Sequence, residues 1–263
     1  MKNLSSQFSG EIVNNHYFEG ITVGTTSYQM EAANGAIHSH DNPTICFLLQ
    51  GGCAEKRSKS SYERSACDMR FYHADELHQS VIKVFPSKCI NLELESQFLT
   101  QYEFSETILN LAVTKNPDVK SLMLKIHSEF LINDAFTKAA IKILLLSMFN
   151  KTKTSNNQKK PKWISKLYEL LNDNWSETPS LEDLAVAVNV HPTTISKHFT
   201  RYFSCTFGEY MRKLKVEKSI SLIKNTKLSL TEIASHCGFA DQSHFTRNFK
   251  KLTGFLPKDF KRL

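Results

Sequence analysis

At 263 residues, 41% hydrophobic and 22% charged, the chain has an ordinary globular composition and room for two cores. Its longest apolar runs, such as Ile143-Leu-Leu-Leu, fall far short of the ~20 residues a membrane span needs, and MKNLSSQFSG at the amino terminus has no apolar secretion segment. Charge is uneven: residues 1–150 carry net −3, 151–161 net +4 and 162–263 net +6, which make up the +7 of the whole, a division that suits a sensor joined to a binder of polyanions.

Residues 20–95 contain short strand-like pieces separated by polar turns: Ile45-Cys-Phe-Leu-Leu, Met69-Arg-Phe-Tyr, Val81-Ile-Lys-Val-Phe and Ile90-Asn-Leu-Glu-Leu. That spacing predicts a barrel or sandwich. Residues 97–149 change to helical period, with Leu122, Ile126 and Phe130, then Ile141, Leu144, Leu145 and Met148, three or four apart. An apolar face left over from these helices would suit a second subunit. Residues 151–161 are polar, rich in lysine and closed by Pro161, which predicts a solvated linker. The six cysteines (Cys46, Cys53, Cys67, Cys89, Cys205, Cys237) form no CxxC pair and read as reduced thiols in a cytoplasmic protein. Cys46 and Cys237 are read as buried structural residues rather than redox centres.

The remaining 102 residues, 162–263, predict an all-helical domain with Trp163, Tyr168 and Leu171 in its core and Trp175 at a helix end. Ser180 caps a helix holding Leu184, Ala185 and Val188 inward. Asn189-Val190-His191 then turns into Pro192, and Ile195 and Phe199 mark the buried side of a second helix. Thr193, Thr194, Ser196, Lys197 and Arg201 fall on its other side. About fifty residues later the design recurs. Ser229 and Glu232 form a capping-box pattern, Gly238 supplies the turn and Asp241 caps the next helix. Phe245, Phe249 and Leu252 face inward; Gln242, Ser243, Thr246, Arg247 and Lys250 face out. Between the two units a helix from Phe207 to Ile223, with a Thr206/Glu209 box, carries Arg212, Lys213, Lys215 and Lys218. Two helix-turn-helix units in one basic domain point to duplex DNA.

These residues resemble the DNA-binding domain of the AraC/XylS family of bacterial transcription regulators: Leu181-Glu-Asp-Leu-Ala, Ile195-Ser-Lys-His-Phe, Gly208-Glu-Tyr, Leu230-Thr-Glu-Ile-Ala and Gly238-Phe-Ala-Asp-Gln-Ser-His-Phe-Thr-Arg-Asn-Phe-Lys-Lys, with Gly254 and Pro257. Carried over residue by residue, the resemblance implies base-facing positions Thr193, Ser196 and Lys197, then Gln242, Ser243, Thr246 and Arg247; Arg201 and Lys250, on the same outer faces, complete the expected DNA-binding set. Lys197 stands where the family usually has arginine, so the bidentate fork that suits guanine is lost. Upstream, Gly35-Ala-Ile-His38-Ser-His40 and the stretch from Cys67 to His78 resemble the two cupin motifs, with Cys67 and His73 in place of the usual Gly and Pro. His38, His40 and His78 are the metal candidates, but Thr44 or Ile45 stands where the motif has its carboxylate. The expectation is therefore a pocket with no metal or other cofactor, with His73 on a surface turn.

The resulting fold class is α+β: a cupin-like β-barrel with a helical extension (1–150), the linker and a tandem helix-turn-helix domain. The function implied is a sequence-specific transcription regulator without catalytic residues, activation being favoured over repression. Its implied partners are double-stranded DNA, RNA polymerase, a small-molecule effector and a second copy of the chain, with no membrane. The competing readings are a cupin metalloenzyme with an accessory DNA-binding domain and a DNA binder with no effector.

Overall fold

The computed structural model describes residues 11–29, 35–58, 60–116, 118–156, 161–177 and 179–263. Among these, six strands precede eleven helices, the expected α+β order. The chain divides into two compact units, residues 1–152 together with Leu263, and residues 153–262. No helix among the described residues is long and apolar enough to cross a membrane.

In the first unit β1 (Glu11–Phe18) and β2 (Ile21–Tyr28) form a hairpin through Glu19 and Gly20. Both turn residues have positive φ, 48° and 77°, the geometry that matches strand twist in a two-residue loop. There follow β3 (Thr44–Arg57), β4 (Ser60–Ser65), β5 (Met69–Tyr72) and β6 (His78–Leu94). Every pairing is antiparallel, in the order β1-β2-β6-β3-β4, with β5 also on β3.

Two features differ from the sequence reading. The pieces at 81–85 and 90–94 are one 17-residue strand. The expected barrel is an open, curled sheet, since no hydrogen-bonded pairing among the described residues joins β1 to β4. Register shifts between Leu48 and Cys53 bend β3 against β6. Gly51 sits at that bend with φ 88°, where a Cβ would lie 2.6 Å from the Val84 carbonyl oxygen. The curl turns side chains from β2 to β6 toward one interior.

Four helices follow: α1 (Ser96–Gln101), α2 (Glu106–Lys115), α3 (Val119–Ile132) and α4 (Thr137–Asn156). Met123, Ile126 and Phe130 of α3 and Ile141, Leu145 and Met148 of α4 are buried, whereas Leu131, Ile132, Phe136 and Ile143 are exposed. Helix α4 continues through Asn156, so the first six residues read as linker have helical backbone; no proline or glycine interrupts them before Pro161. Residues 157–160 of that segment lie outside the described residues.

The second unit has seven helices: α5 (Lys162–Asp173), α6 (Leu181–Val188), α7 (Pro192–Phe203), α8 (Phe207–Asn225), α9 (Leu230–His236), α10 (Gln242–Thr253) and α11 (Pro257–Arg262). The inward stripe of α5 is Ile164, Leu167 and Leu171; half-buried Trp163 packs against that core, whereas Tyr168 is exposed, correcting its assignment to the core. The mistake was one of phase, because 164, 167 and 171 also fit helical spacing. Trp175 follows the end of α5 and packs edge-on against His236, with ring centroids 5.8 Å apart. Helix α8 lies between the two halves, touching α7 on one side and α9, α10 and α11 on the other.

Candidate nucleic-acid interface

The two helix-turn-helix units share one construction. Ser180 Oγ accepts from the Asp183 amide at 3.0 Å, and Ser229 Oγ from the Glu232 amide at 3.2 Å, where Glu232 also returns a bond to the Ser229 amide. Each first helix then ends on a left-handed residue, Asn189 with φ 57° and Gly238 with φ 66°. In both turns the next amide reaches back five residues, Val190 to the Ala185 carbonyl at 3.0 Å and Phe239 to the Ala234 carbonyl at 2.9 Å. At the start of the second helices, His191 Nδ1 accepts from the Thr193 amide at 3.3 Å and Asp241 Oδ1 from the His244 amide at 2.6 Å. Histidine is an unusual cap, and no sequence signal marked His191 for that task.

Inside the units the aromatic stripes interlock. Phe199 stacks on Phe203, with ring centroids 4.2 Å apart, and meets Tyr210 edge-on at 5.9 Å; Phe245, Phe249 and Phe260 form a second chain with centroid spacings of 5.6 Å. Fixed inner faces determine which residues remain outside. Thr193, Ser196, Lys197 and Arg201 on α7, and Gln242, Ser243, Arg247 and Lys250 on α10, are exposed; Thr246 is half-buried. Gln242 is already oriented, because its Oε1 accepts from Thr231 Oγ1 at 2.7 Å. Thr193 Oγ1 lies 2.9 Å from His191 Nδ1.

Lys215 leaves the basic surface read from sequence. Its side chain is buried, its Nζ donates to the Gly238 carbonyl at 2.9 Å, and burial lowers its pKa. Here the ammonium braces the turn of the second unit. Helical periodicity could have signalled this, since Met211, Leu214 and Lys215 share one face.

The first unit holds a separate cluster. Arg64 and Glu55 are buried, with Arg64 Nη1 donating to Glu55 Oε2 at 3.0 Å. Tyr72 Oη donates to the same oxygen at 2.7 Å, and Arg57 Nε to Glu55 Oε1 at 2.7 Å. Burial pushes the Glu55 carboxyl up, but Arg64, the Tyr72 hydrogen bond and Arg57 outweigh it, leaving its pKa lowered and the group ionised. His38, His40 and His78 come together beside this network, with one ring nitrogen from each within 4.8 Å of the others. His73 stays outside, against Glu106. Cys67 has φ 73°, so the backbone keeps the left-handed turn that glycine ordinarily makes. Cys46 and Cys237 are buried, as read.

Residues 184–263 match a helix-turn-helix domain family. The regulator GbdR of Pseudomonas aeruginosa is 32% identical over 96 residues, 36% of this chain but only 26% of its own length. The transcriptional activator RhaS of Escherichia coli O157:H7 is 20% identical over 252 residues, 94% of this chain and 86% of its own. Among solved structures, a Chromobacterium violaceum transcriptional regulator with an AraC-type DNA-binding domain covers 38% of this chain and 89% of its own, at 22% identity and TM-score 0.36. ToxT of Vibrio cholerae covers 92% and 98%, at 13% identity and TM-score 0.39. The matched residues run from within α6 through α11, and the relatives to which this chain is similar are named transcription regulators.

Proposed function

We propose that the chain is a sequence-specific DNA-binding transcription regulator, not an enzyme, and that α7 and α10 enter successive major-groove segments. The carrying observation is that both helices present short polar side chains in their first turns and cations further along, over inner faces fixed by aromatic packing. Hydroxyls and amides near a helix start reach base edges, while Lys197, Arg201, Arg247 and Lys250 match phosphates or guanine. Residues 162–263, with residues 151–161 as the connection, form the DNA-binding part of this reading.

The first unit is read as the regulatory and assembly part. Exposed Leu131, Ile132, Phe136 and Ile143 on α3, α4 and their connection support a homodimer. The likeness to RhaS, named an activator, supports activation; RNA polymerase as partner and a cytoplasmic location belong to the same reading. Arg247→Ala tests the DNA reading. Specific affinity in a gel-shift titration at fixed salt should fall by about 1–3 kcal/mol, with thermal stability unchanged. Unaltered affinity removes Arg247 from the readout.

A further inference from the structure

We infer that Cys46 and Cys89 form a hydroperoxide-reactive thiol pair, in which Cys46 is oxidised first and Cys89 closes a disulfide onto it. The inference concerns the first unit alone and does not rest on the DNA-binding reading.

Sheet register brings the two residues together. Cys46 of β3 lies opposite Asn91 of β6, and Leu48 lies opposite Cys89, so the two cysteines are diagonal neighbours on one face. That face is turned inward, where Cys46, Cys53 and Cys89 pack with Tyr28, Leu48, Tyr72 and Ile82. The Cys89 thiol donates a hydrogen bond to the Cys46 sulfur. Arg64 holds Cys46 from another side, its Nη2 3.3 Å from the Cys46 carbonyl oxygen and 3.7 Å from the sulfur. Arg64 is itself fixed through Nη1, which donates to Glu55 and to Tyr72.

These donors decide which thiol reacts. The Cys89 hydrogen bond and the Arg64 guanidinium outweigh burial and the Glu55 carboxylate, and lower the Cys46 pKa. The same hydrogen bond, with burial, raises that of Cys89. Burial pushes Cys53 up to about 11 and Cys237 up to about 12. The thiolate is the nucleophilic form, and a protonated thiol beside it is the group that resolves an oxidised sulfur. Burial argued from sequence for a structural Cys46; its two donors set it apart from Cys237.

The cavity selects the oxidant. Cys46, Cys53, Cys89 and Arg64 line a space of ≈ 40 Å³. Organic ligands need roughly 300–1,000 Å³, whereas a water occupies about 10–15 Å³ on the same scale. Hydrogen peroxide, little larger than water, enters; a peptide disulfide such as oxidised glutathione does not. The Cys46 thiolate attacks one peroxide oxygen, the S–O bond forms as the O–O bond breaks, and hydroxide leaves. The Cys89 sulfur then attacks the Cys46 sulfenic acid, the S–S bond forms, and the S–O oxygen departs as water with the Cys89 proton. The hydroxide takes up the proton that Cys46 gave up on ionising. Two thiols thus lose two electrons and one peroxide becomes two waters. The register shifts that begin at Leu48 give β3 the freedom to approach β6 as the bond closes.

The test uses the purified full chain, fully reduced, with a chelator present and one equivalent of hydrogen peroxide. Alkylation followed by peptide mass spectrometry maps the products. A Cys46–Cys89 disulfide is expected, forming at least about 10-fold faster than oxidation at any other cysteine. In Cys89→Ser the sulfenic acid at Cys46 should persist and be captured by dimedone, and in Cys46→Ser Cys89 should stay reduced. Circular dichroism checks that both variants are folded, and oxidised glutathione should leave the parent unmodified. The inference is overturned by thiols that all stay reduced, by oxidation that begins at another cysteine, by a dimedone adduct on Cys46 of the parent, or by a glutathione adduct at Cys46. DNA is absent throughout, so the outcome stands apart from that of the Arg247 experiment.

Discussion

Gly238→Ala perturbs the turn of the second helix-turn-helix unit and nothing in the first. Alanine at φ 66° meets left-handed strain of about 1–2 kcal/mol. Its Cβ would also fall 2.1 Å from the Ser176 carbonyl oxygen, a backbone atom, and 2.9 Å from Lys215 Nζ, which holds the same residue's carbonyl. Overpacking of that kind adds about 1–3 kcal/mol, so the second unit should lose about 2–5 kcal/mol in all. The chain's two tryptophans, Trp163 and Trp175, both belong to that unit, so urea unfolding followed by tryptophan fluorescence reports on it in the intact protein. With a urea slope of about 2 kcal/mol/M the midpoint should fall by about 1–2.5 M. Gly208→Ala is the control: its Cβ would touch only the Arg212 guanidinium, 3.2 Å away, and should leave the midpoint unchanged or slightly raised. A Gly238→Ala stability within about 0.5 kcal/mol of the parent, about 0.25 M in midpoint, would refute the argument, because neither strain nor contact could then be present.

Burial, then Lys88, lowers the His127 pKa from 6.5 to about 4, so the imidazole stays neutral in the folded state where in the unfolded chain it takes a proton. Its contribution is intact above pH 6.5 and lost as pH falls toward 4, up to about 3 kcal/mol at 1.36 kcal/mol per unit; far-UV dichroism melts of His127→Gln should show a flatter acid limb than the parent. Glu55→Gln leaves Arg64 buried beside a neutral partner and should cost about 3–5 kcal/mol in the first unit, read by the same melts. A fragment from Lys160 onward should bind the full chain's DNA site more weakly and sediment as a monomer, because the first unit's helices would supply the second copy; a fragment with no affinity for that site would refute independent folding of the second unit.

Caps and turns were the most legible part of the chain. Ser180, Thr206, Ser229 and Asp241 all cap where the sequence placed them, because capping depends on residues three apart and on little else. Gly238 was legible for the same reason. The recurrence of its turn at Asn189 was less so, since asparagine signals left-handed backbone more weakly than glycine. Tyr168 and Lys215 were misplaced because their surroundings are set by other helices, which local spacing does not encode. Strand β1 passed unnoticed: Glu11–Phe18 lies at a sheet edge with Phe18 its one buried residue and lacks an apolar period. The convergence of Arg64 with Glu55 and Tyr72 required the pairings of β3 with β4 and β5, which no short motif announces.

Helix α8 gives both halves of the second unit a common wall, with Tyr210, Met211 and Leu214 packed into the first core and Ile220 and Ile223 buried farther along. A shared wall makes the separation of α7 and α10 a property of the protein, not an adjustable one. B-DNA returns the same groove to one side only once per helical turn, about 10–10.5 base pairs. An operator whose two contacted segments are out of phase therefore cannot be accommodated by flexing between the helices. The duplex must bend or lose one contact, and half a turn of inserted DNA should be worse than a whole one.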